Sequence, residues 1–119
     1  LIFGGGWQRG SKEQLSRWGP FLAQNGIVAF ALSYRLSTPG KPSFYQSLDD
    51  IRSGVQYLRG RSSELKVDPE RIGGMGGSAG GHLVAMLALA GDHDAFVYPT
   101  DGDPYSELSA RIRRTAIYR

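Results

Sequence analysis

The sequence predicts an α/β fold of three layers (α/β/α) with a central parallel sheet. Two observations carry this prediction. Short apolar runs alternate with segments of helical periodicity in the order β-α-β-α-β-α-loop-β, as expected for parallel strands with helices on both faces of the sheet. Glycine-rich segments also follow two of the predicted strands, where strand-to-helix turns of such a sheet would lie.

Four short apolar runs are the predicted strands: residues 1–3, 27–32, 72–75 and 112–118. The first is the end of a buried strand that continues into three glycines. Residues 27–32 have the composition of a strand buried on both faces. Because the chain starts inside one predicted strand and stops within or just after another, we expect residues 1–119 to be the central part of one larger domain, truncated at both ends.

The first predicted helix starts at residues 11–14, an S-x-x-Q capping box. Its apolar face contains Leu15, Trp18 and Leu22. The pair Gly19-Pro20 is expected to break or kink this helix, and Asn25-Gly26 is expected to end it.

Two further helices are predicted. One opens at residues 47–50, and its apolar face contains Leu48, Ile51, Val55 and Leu58. The other spans residues 79–90 and is almost wholly apolar, which is typical of a helix buried within a domain. Residues 37–43 and 92–109 are predicted loops.

Composition excludes several classes of protein. The chain has 119 residues, of which 40% are apolar and 21% are charged, and these ordinary values exclude disordered and collagen-like chains. No apolar run approaches the roughly 20 residues that cross a bilayer, so no membrane span is predicted. The absence of cysteine excludes disulfides, thiolate zinc sites and a cysteine nucleophile.

The net charge of +3 does not indicate nucleic-acid binding. Four of the 14 basic residues lie in the last nine positions, and the rest of the chain has 10 basic and 11 acidic residues. The positive charge therefore does not extend over the molecule. Terminal arginines of this kind are better explained as solvated flanks of a strand.

The segment Gly76-Gly77-Ser78-Ala79-Gly80 is a G-x-S-x-G motif between a predicted strand and a predicted helix. A serine on so tight a turn has strained backbone angles, so the residues two positions away on either side must be small. The turn lifts the serine hydroxyl above the sheet, and the helix N-terminus supplies free N–H groups for a developing oxyanion. Ser78 is therefore a candidate nucleophile, although a serine that only caps the helix also fits this segment.

A second glycine-rich segment, Gly4-Gly5-Gly6-Trp7, follows the first predicted strand. Three glycines in a row leave backbone N–H groups unshielded, which suits a second set of oxyanion donors. The alternative explanation is a flexible loop without a function. The presence of the serine motif some 70 residues later favours the first explanation.

Taken together, the motifs resemble the α/β-hydrolase fold family, in particular the esterase/lipase branch with an HGGG-type oxyanion loop. The matching segments occur in family order over nearly the whole chain: Gly4-Gly5-Gly6-Trp7, Ser33-Tyr34-Arg35-Leu36, Asp50, Asp68-Pro69-Glu70-Arg71-Ile72 and residues 76–83. The resemblance implies a partial α/β-hydrolase fold with about strands 3 to 6 of the family's eight, which are neighbours in its sheet.

The resemblance also implies a function and a set of site residues. Ser78 would be the nucleophile of a hydrolase that acts on small-molecule carboxylic esters through an acyl-enzyme, without metal or cofactor. The N–H groups of Gly5, Gly6 and Ala79 would form the oxyanion hole. Phe3 stands where the loop usually has histidine, so apolar packing would have to replace that histidine's anchoring hydrogen bonds.

The acid and the histidine of the triad are not found in this chain. In this fold both follow the serine, and only 41 residues follow Ser78. His82 is one turn further along the same helix and is expected to be hydrogen-bonded to the scaffold, while His93 precedes most of the acids that could partner it. The chain alone is therefore expected to be poorly active or inactive.

Three alternative interpretations stay open. The chain could be a non-catalytic remnant of the fold. Residues 74–79 also fit the G-x-G-x-x-A dinucleotide motif, with Asp94 as its distal acid, although that acid should end a strand. The acidic loop with Asp92, His93, Asp94, Asp101 and Asp103 lacks a recognised metal-ligand spacing, so no metal site is predicted.

Overall fold

Two parallel strands form the centre of the computed structural model, which describes residues 1–97 and 102–119. Strand β1 spans Gly73–Gly77 and strand β2 spans Arg114–Tyr118, with Gly73 opposite Arg114 and Gly77 opposite Tyr118. Both lie within or close to the predicted strands 72–75 and 112–118. The prediction of a parallel sheet is confirmed for this pair.

The sheet is extended by the N-terminal segment. Ile2 forms parallel bridges with Leu32 on one side and with Gly76 on the other. Its N–H donates to the carbonyl oxygen of Met75 at 2.9 Å, and the N–H of Leu32 donates to that of Leu1 at 3.0 Å. The order across the sheet is therefore Leu32, Ile2, β1, β2, and the predicted first strand is buried, with Ile2 and Phe3 each 2% exposed.

The expectation of a strand buried on both faces at residues 27–32 is wrong. Only Leu32 forms a bridge, and Ile27 and Val28 are 50% and 55% exposed. The segment lies at the outer edge of the described sheet, where no described element covers these two side chains. Apolar composition specifies a tendency to be buried, but burial itself requires a neighbour on each face.

The first helix differs from its prediction. Residues Lys12–Leu15 form a short 3-10 helix, and Ser11 makes no side-chain capping hydrogen bond, so the predicted capping box is wrong. Helix α1 spans Trp18–Gln24, which places Pro20 in its first turn, where a missing N–H costs nothing. The chain leaves the helix at Asn25 and Gly26, as predicted, with Gly26 at φ +74°.

Helix α2 spans Phe44–Gly60 and begins three residues before its predicted start. Ser47, the predicted start, lies in the first turn and donates its hydroxyl to the Ser43 carbonyl oxygen at 2.8 Å and to that of Arg35 at 2.6 Å. Leu48, Ile51 and Val55 are buried as predicted. Helix α3, a single turn at Ser62–Leu65, follows.

Helix α4 spans Ala79–Ala90, with the predicted boundaries. Leu83, Val84 and Leu87 are at most 1% exposed and belong to the same hydrophobic core as Ile2, Leu48 and Ile51. The described part of the loop that follows contains a 3-10 turn at Asp94–Phe96. No helix in the described ranges is both long enough and apolar enough to span a membrane.

Candidate active site

Ser78 lies between β1 and α4 in a strained backbone conformation. Its φ is +49° and its ψ is −120°, a region that residues other than glycine rarely adopt, at a cost of about 1–3 kcal/mol. Its N–H donates to the Tyr118 carbonyl oxygen at 3.0 Å, and its carbonyl oxygen accepts from the His82 N–H at 3.0 Å. These bonds hold the backbone of Ser78 while the residue itself is exposed.

The glycines on either side of Ser78 are required by space. A Cβ atom at Gly76 would lie 2.6 Å from the Gly80 carbonyl group. A Cβ atom at Gly80 would overlap the carbonyl oxygen of Ile2. The tight serine turn (residues 76–80) therefore has the geometry that the G-x-S-x-G pattern predicts.

The glycine loop (residues 4–7) lies directly against the serine turn. A Cβ atom at Gly4 would lie 2.7 Å from the Gly77 carbonyl oxygen and 3.3 Å from the Ser78 Cβ. Gly5 and Gly6 have φ values of +131° and +62°, and a Cβ atom at Gly5 would overlap the Arg9 carbonyl oxygen. Within the described ranges, the N–H groups of Gly5 and Gly6 donate no hydrogen bond. These two donors are free to bind a ligand.

Ala79 is the first residue of α4 and is buried. The N–H groups of a first helical turn have no partner within the helix and lie at its positive end. The Ala79 N–H directly follows Ser78 in the chain, and the glycine loop packs against Gly77 and Ser78. All four predicted site residues lie in one region, with Gly5 and Ser78 lining the same cavity and Gly6 lining its neighbour.

Phe3 anchors the glycine loop by packing. Its ring stacks on that of Tyr34 with a centroid distance of 4.3 Å and an interplanar angle of 13°. The Tyr34 hydroxyl donates to the Phe3 carbonyl oxygen at 2.9 Å. Burial raises the pKa of Tyr34, so this hydroxyl stays a donor over the whole neutral range. The expected apolar packing is therefore present, together with a hydrogen bond that no local sequence pattern predicts.

The glycine loop contributes to the lining of two cavities. The smaller, about 370 Å³, contains Ser78 and is lined by Phe3, Gly4, Gly5, Arg9, Gly10, Gln14, Leu15, Gly77, Tyr118 and Arg119. The larger, about 740 Å³, is lined by Gly6, Trp7, Gln8, residues 37–40, Pro42, Phe44, His82 and Met86. Sequence reasoning missed Arg9 and Tyr118, and the only signal for Arg9 was its position two residues after the glycine loop.

His82 is held by aromatic rings. It contacts Trp7 edge-on at a centroid distance of 5.5 Å and Phe44 at 5.4 Å. Its side chain makes no hydrogen bond to any described residue, so the expected hydrogen bond to the scaffold is wrong. The His82 side chain contacts the rings of Trp7 and Phe44 instead. Both rings belong to other segments of the chain, so the sequence around His82 does not predict these contacts.

His93 lies beyond the other end of α4. Its Nδ1 accepts from the Ala95 N–H at 3.2 Å. The 12 residues of α4 separate the two ends of the helix by roughly 18 Å, so His93 is too far away to act as a base for Ser78. That the triad histidine lies outside residues 1–119 stays a prediction.

The acidic loop after α4 has a structural arrangement in its described part. Asp92 accepts from the Ser109 hydroxyl at 2.5 Å and from the Ala110 N–H at 2.7 Å. Asp94 lies in a 3-10 turn rather than at a strand end, which does not fit the dinucleotide motif. No metal-ligand cluster of three or more side chains is found in residues 1–97 and 102–119, and Asp101 lies outside the described residues.

The sequence also matches known proteins. Residues 1–114 match the family described as BD-FAE. A probable carboxylic ester hydrolase, LipM of Mycobacterium tuberculosis, is 32% identical over 96 residues, which are 80% of this chain and 22% of LipM.

Solved structures of esterase 2 from Thermogutta terrifontis have the same fold. The native form superposes with a TM-score of 0.82 at 32% identity, covering 98% of this chain and 39% of that chain. The form phosphoramylated by tabun has a TM-score of 0.82 at 31% identity, covering 98% and 42%. This chain therefore spans about a fifth of LipM and about two fifths of the esterase.

Proposed function

Because this chain belongs to the BD-FAE family of α/β-hydrolase esterases, we propose that it carries the nucleophile and the oxyanion hole of a carboxylic ester hydrolase. The observation that supports this function best is the strained, exposed Ser78 with the glycine loop packed against its turn. A serine that only capped the helix would need no such strain, and Ser78 makes no side-chain capping hydrogen bond.

The proposed reaction has two steps. The Ser78 Oγ attacks the ester carbonyl carbon as a base takes its proton, and that proton passes to the departing alcohol, leaving an acyl-enzyme. A water molecule then attacks the acyl carbonyl, its proton returns to Ser78, and the carboxylic acid is released. In both steps, the N–H groups of Gly5, Gly6 and Ala79 donate to the carbonyl oxygen as it becomes negative.

The base and its acid partner belong to the proposal as well. His82 packs between rings and His93 lies at the far end of α4, so neither serves Ser78. We place the triad acid and histidine in a larger α/β-hydrolase domain of which residues 1–119 form the central part. The length of the relatives supports this, and residues 1–119 alone should then hydrolyse esters poorly or not at all.

The two cavities suggest how an ester would lie. Its carbonyl must sit at Ser78, between the glycine loop and the start of α4. One arm of the ester then extends into the cavity of about 370 Å³ and the other toward the cavity of about 740 Å³. Trp7, Phe44 and Met86 give the larger cavity an apolar wall that suits a hydrocarbon or aromatic arm.

The full-length protein provides the test. We expect it to hydrolyse p-nitrophenyl acetate and to be labelled by a fluorophosphonate probe. Ser78→Ala should abolish labelling and lower kcat by about 10⁴-fold or more, because no other group can form the acyl-enzyme. Ser63→Ala, at an exposed serine of α3, is the matched control and should leave both unchanged.

Labelling that persists in Ser78→Ala would overturn the assignment of the nucleophile. A full-length protein that is folded but neither labelled nor active would instead support the non-catalytic alternative.

A further inference from the structure

We propose that the smaller cavity selects esters that carry a carboxylate, and that Arg9 recognises this carboxylate. This inference rests on the proposed esterase function and specifies its substrate class. It concerns the arm of the ester that runs past Ser78 into the cavity of about 370 Å³.

The charges that line this cavity all have one sign. Arg9 and Arg119 line it together with Ser78 and the backbone of the glycine loop, and none of its described lining residues is Asp or Glu. Gln14 and Tyr118 also line this cavity. Two arginine side chains with no acidic side chain among the described lining residues favour a negatively charged ligand.

Arg9 differs from the paired arginines of this chain. Arg35 binds Asp50, Arg61 binds Glu64, and Arg52 donates to the Gly91 carbonyl oxygen at 2.8 Å. The Arg9 side chain makes no hydrogen bond or ion pair with any residue in the ranges 1–97 and 102–119. Its guanidinium group is therefore available to a ligand.

The backbone of Arg9 is fixed next to the proposed oxyanion hole. Its N–H donates to the Gly5 carbonyl oxygen at 3.1 Å. Its Cγ would lie 3.3 Å from a Cβ atom at Gly5, so the side chain starts from the glycine loop itself. Only the outer part of the Arg9 side chain, with the guanidinium group, has to become ordered when a ligand binds.

A carboxylate is the ligand that this arrangement suits. The guanidinium group presents a planar pair of donors that matches both carboxylate oxygens, and such charge-assisted bonds are stronger than neutral ones. The ester carbonyl is held at Ser78 by the reaction, so the carboxylate must be on one arm, a few bonds from that carbonyl. Monoesters of dicarboxylic acids and esters of hydroxy acids both meet this condition.

The test compares matched esters with the full-length protein. On the acyl arm, mono-p-nitrophenyl adipate is compared with p-nitrophenyl hexanoate; on the alcohol arm, 4-acetoxybenzoate is compared with its methyl ester. We expect a higher kcat/KM for the anionic ester of at least one pair, by about tenfold, the effect of one charge-assisted hydrogen bond. Raising the salt concentration should shrink this preference because the site is open to solvent.

The variants assign the effect to Arg9. Arg9→Gln should lower kcat/KM for the anionic ester, mainly through KM, by about tenfold more than it lowers kcat/KM for the neutral ester. Arg9→Lys keeps the positive charge but lacks the planar pair of donors, so it should recover part of the preference for the anionic ester. Arg17→Gln, at an exposed arginine that does not line the cavity, is the control and should behave like the wild type.

Several results would overturn the inference. If the wild type hydrolyses neutral esters but prefers neither anionic ester, the cavity does not select charge. If Arg9→Gln slows both members of a pair equally, Arg9 supports the glycine loop rather than binding the substrate. If the wild type shows neither hydrolysis nor fluorophosphonate labelling, the proposed function fails first, and this inference fails with it.

Discussion

Gly5 and Gly6 lie side by side in the glycine loop, yet the structure constrains them differently. Both have positive φ, but a side chain at Gly5 would overlap the Arg9 carbonyl oxygen, whereas one at Gly6 would meet nothing within 4 Å. The first glycine is required by both conformation and space, the second by conformation alone. Because both are proposed oxyanion donors, alanine substitutions at the two positions should have different effects on activity.

Gly5→Ala should lower kcat toward a neutral ester by about 10²–10³-fold, the loss seen when one oxyanion donor is displaced. The reason is that the loop must move to relieve the overlap with Arg9. Gly6→Ala should retain most of the activity and cost about 1–2 kcal/mol in the free energy of unfolding, from its left-handed backbone. Steady-state kinetics and thermal unfolding of both variants check this. Equal kcat values for wild type and Gly5→Ala would contradict it.

Helix α4 connects the proposed site to the core of the molecule. Its N-terminus supports Ser78, and its buried face carries Leu83, Val84 and Leu87. Leu89 on the same helix is 83% exposed. An apolar helix of this kind is therefore buried on one side only within the described structure.

Leu83→Ala should reduce the free energy of unfolding by about 2–5 kcal/mol, because it leaves a cavity at a position with no exposure. Leu89→Ala, on the exposed side, should change it by less than about 0.5 kcal/mol. Chemical denaturation of the two variants provides the comparison. Similar losses for both would mean that the exposed side of α4 is also covered in the full-length protein.

Helix α2 holds the segment that leads into β2. The Gln56 side chain donates to the carbonyl oxygens of Ser106 and Leu108 at 3.0 and 2.7 Å, and Arg59 donates to that of Arg111 at 3.0 Å. These bonds satisfy carbonyl groups that belong to no helix or strand. Through β2, they also fix Tyr118, whose carbonyl oxygen accepts from Ser78.

In the molecule as a whole, the parallel order Leu32, Ile2, β1, β2 places both glycine-rich turns at the carboxyl ends of neighbouring strands. The glycine loop follows the segment of Ile2, and the serine turn follows β1, its direct neighbour. Because the carboxyl ends of parallel strands lie at the same edge, segments some 70 positions apart in sequence meet there. The candidate site is a consequence of this pairing.

Asp92 joins the end of α4 to the segment that leads into β2, 18 positions away. Partial burial raises the pKa of Asp92, but hydrogen bonds from Ser109 and Ala110, together with the charge of Arg52, outweigh it, so the pKa lies below its ordinary value. A carboxyl group with a lowered pKa stabilises the folded state above its unfolded-state pKa and loses that contribution as the pH falls through the folded-state value.

Asp92→Asn should therefore lower the melting temperature at pH 7. The difference from the wild type should begin to shrink as the pH falls below the unfolded-state pKa of about 4, and it should continue to shrink until the pH is below the lower folded-state pKa, where the folded wild-type carboxyl group takes up a proton. Thermal unfolding of both proteins across this range measures it. A difference that stays constant with pH would show that the charge of Asp92 contributes nothing to stability.

Features that depend on neighbouring residues could be predicted from the sequence. The serine turn requires small residues two positions either side of Ser78, and helix α4 is a continuous apolar run after that turn, so both could be predicted with their boundaries. The glycine loop was predicted because three consecutive glycines follow a predicted strand. The roles of Ser78, Gly5, Gly6 and Ala79 remain proposals that the experiments above test.

Features that depend on distant segments could not be predicted from the sequence and are visible only in the folded structure. It exposes Ile27 and Val28 at a sheet edge, starts α2 before Ser47, and surrounds His82 with rings from two other elements. It also places Arg9 in the lining of the cavity that contains Ser78. The physical reason is that burial, ring contacts and unpaired charges depend on which elements pack together, and local sequence patterns do not carry that information.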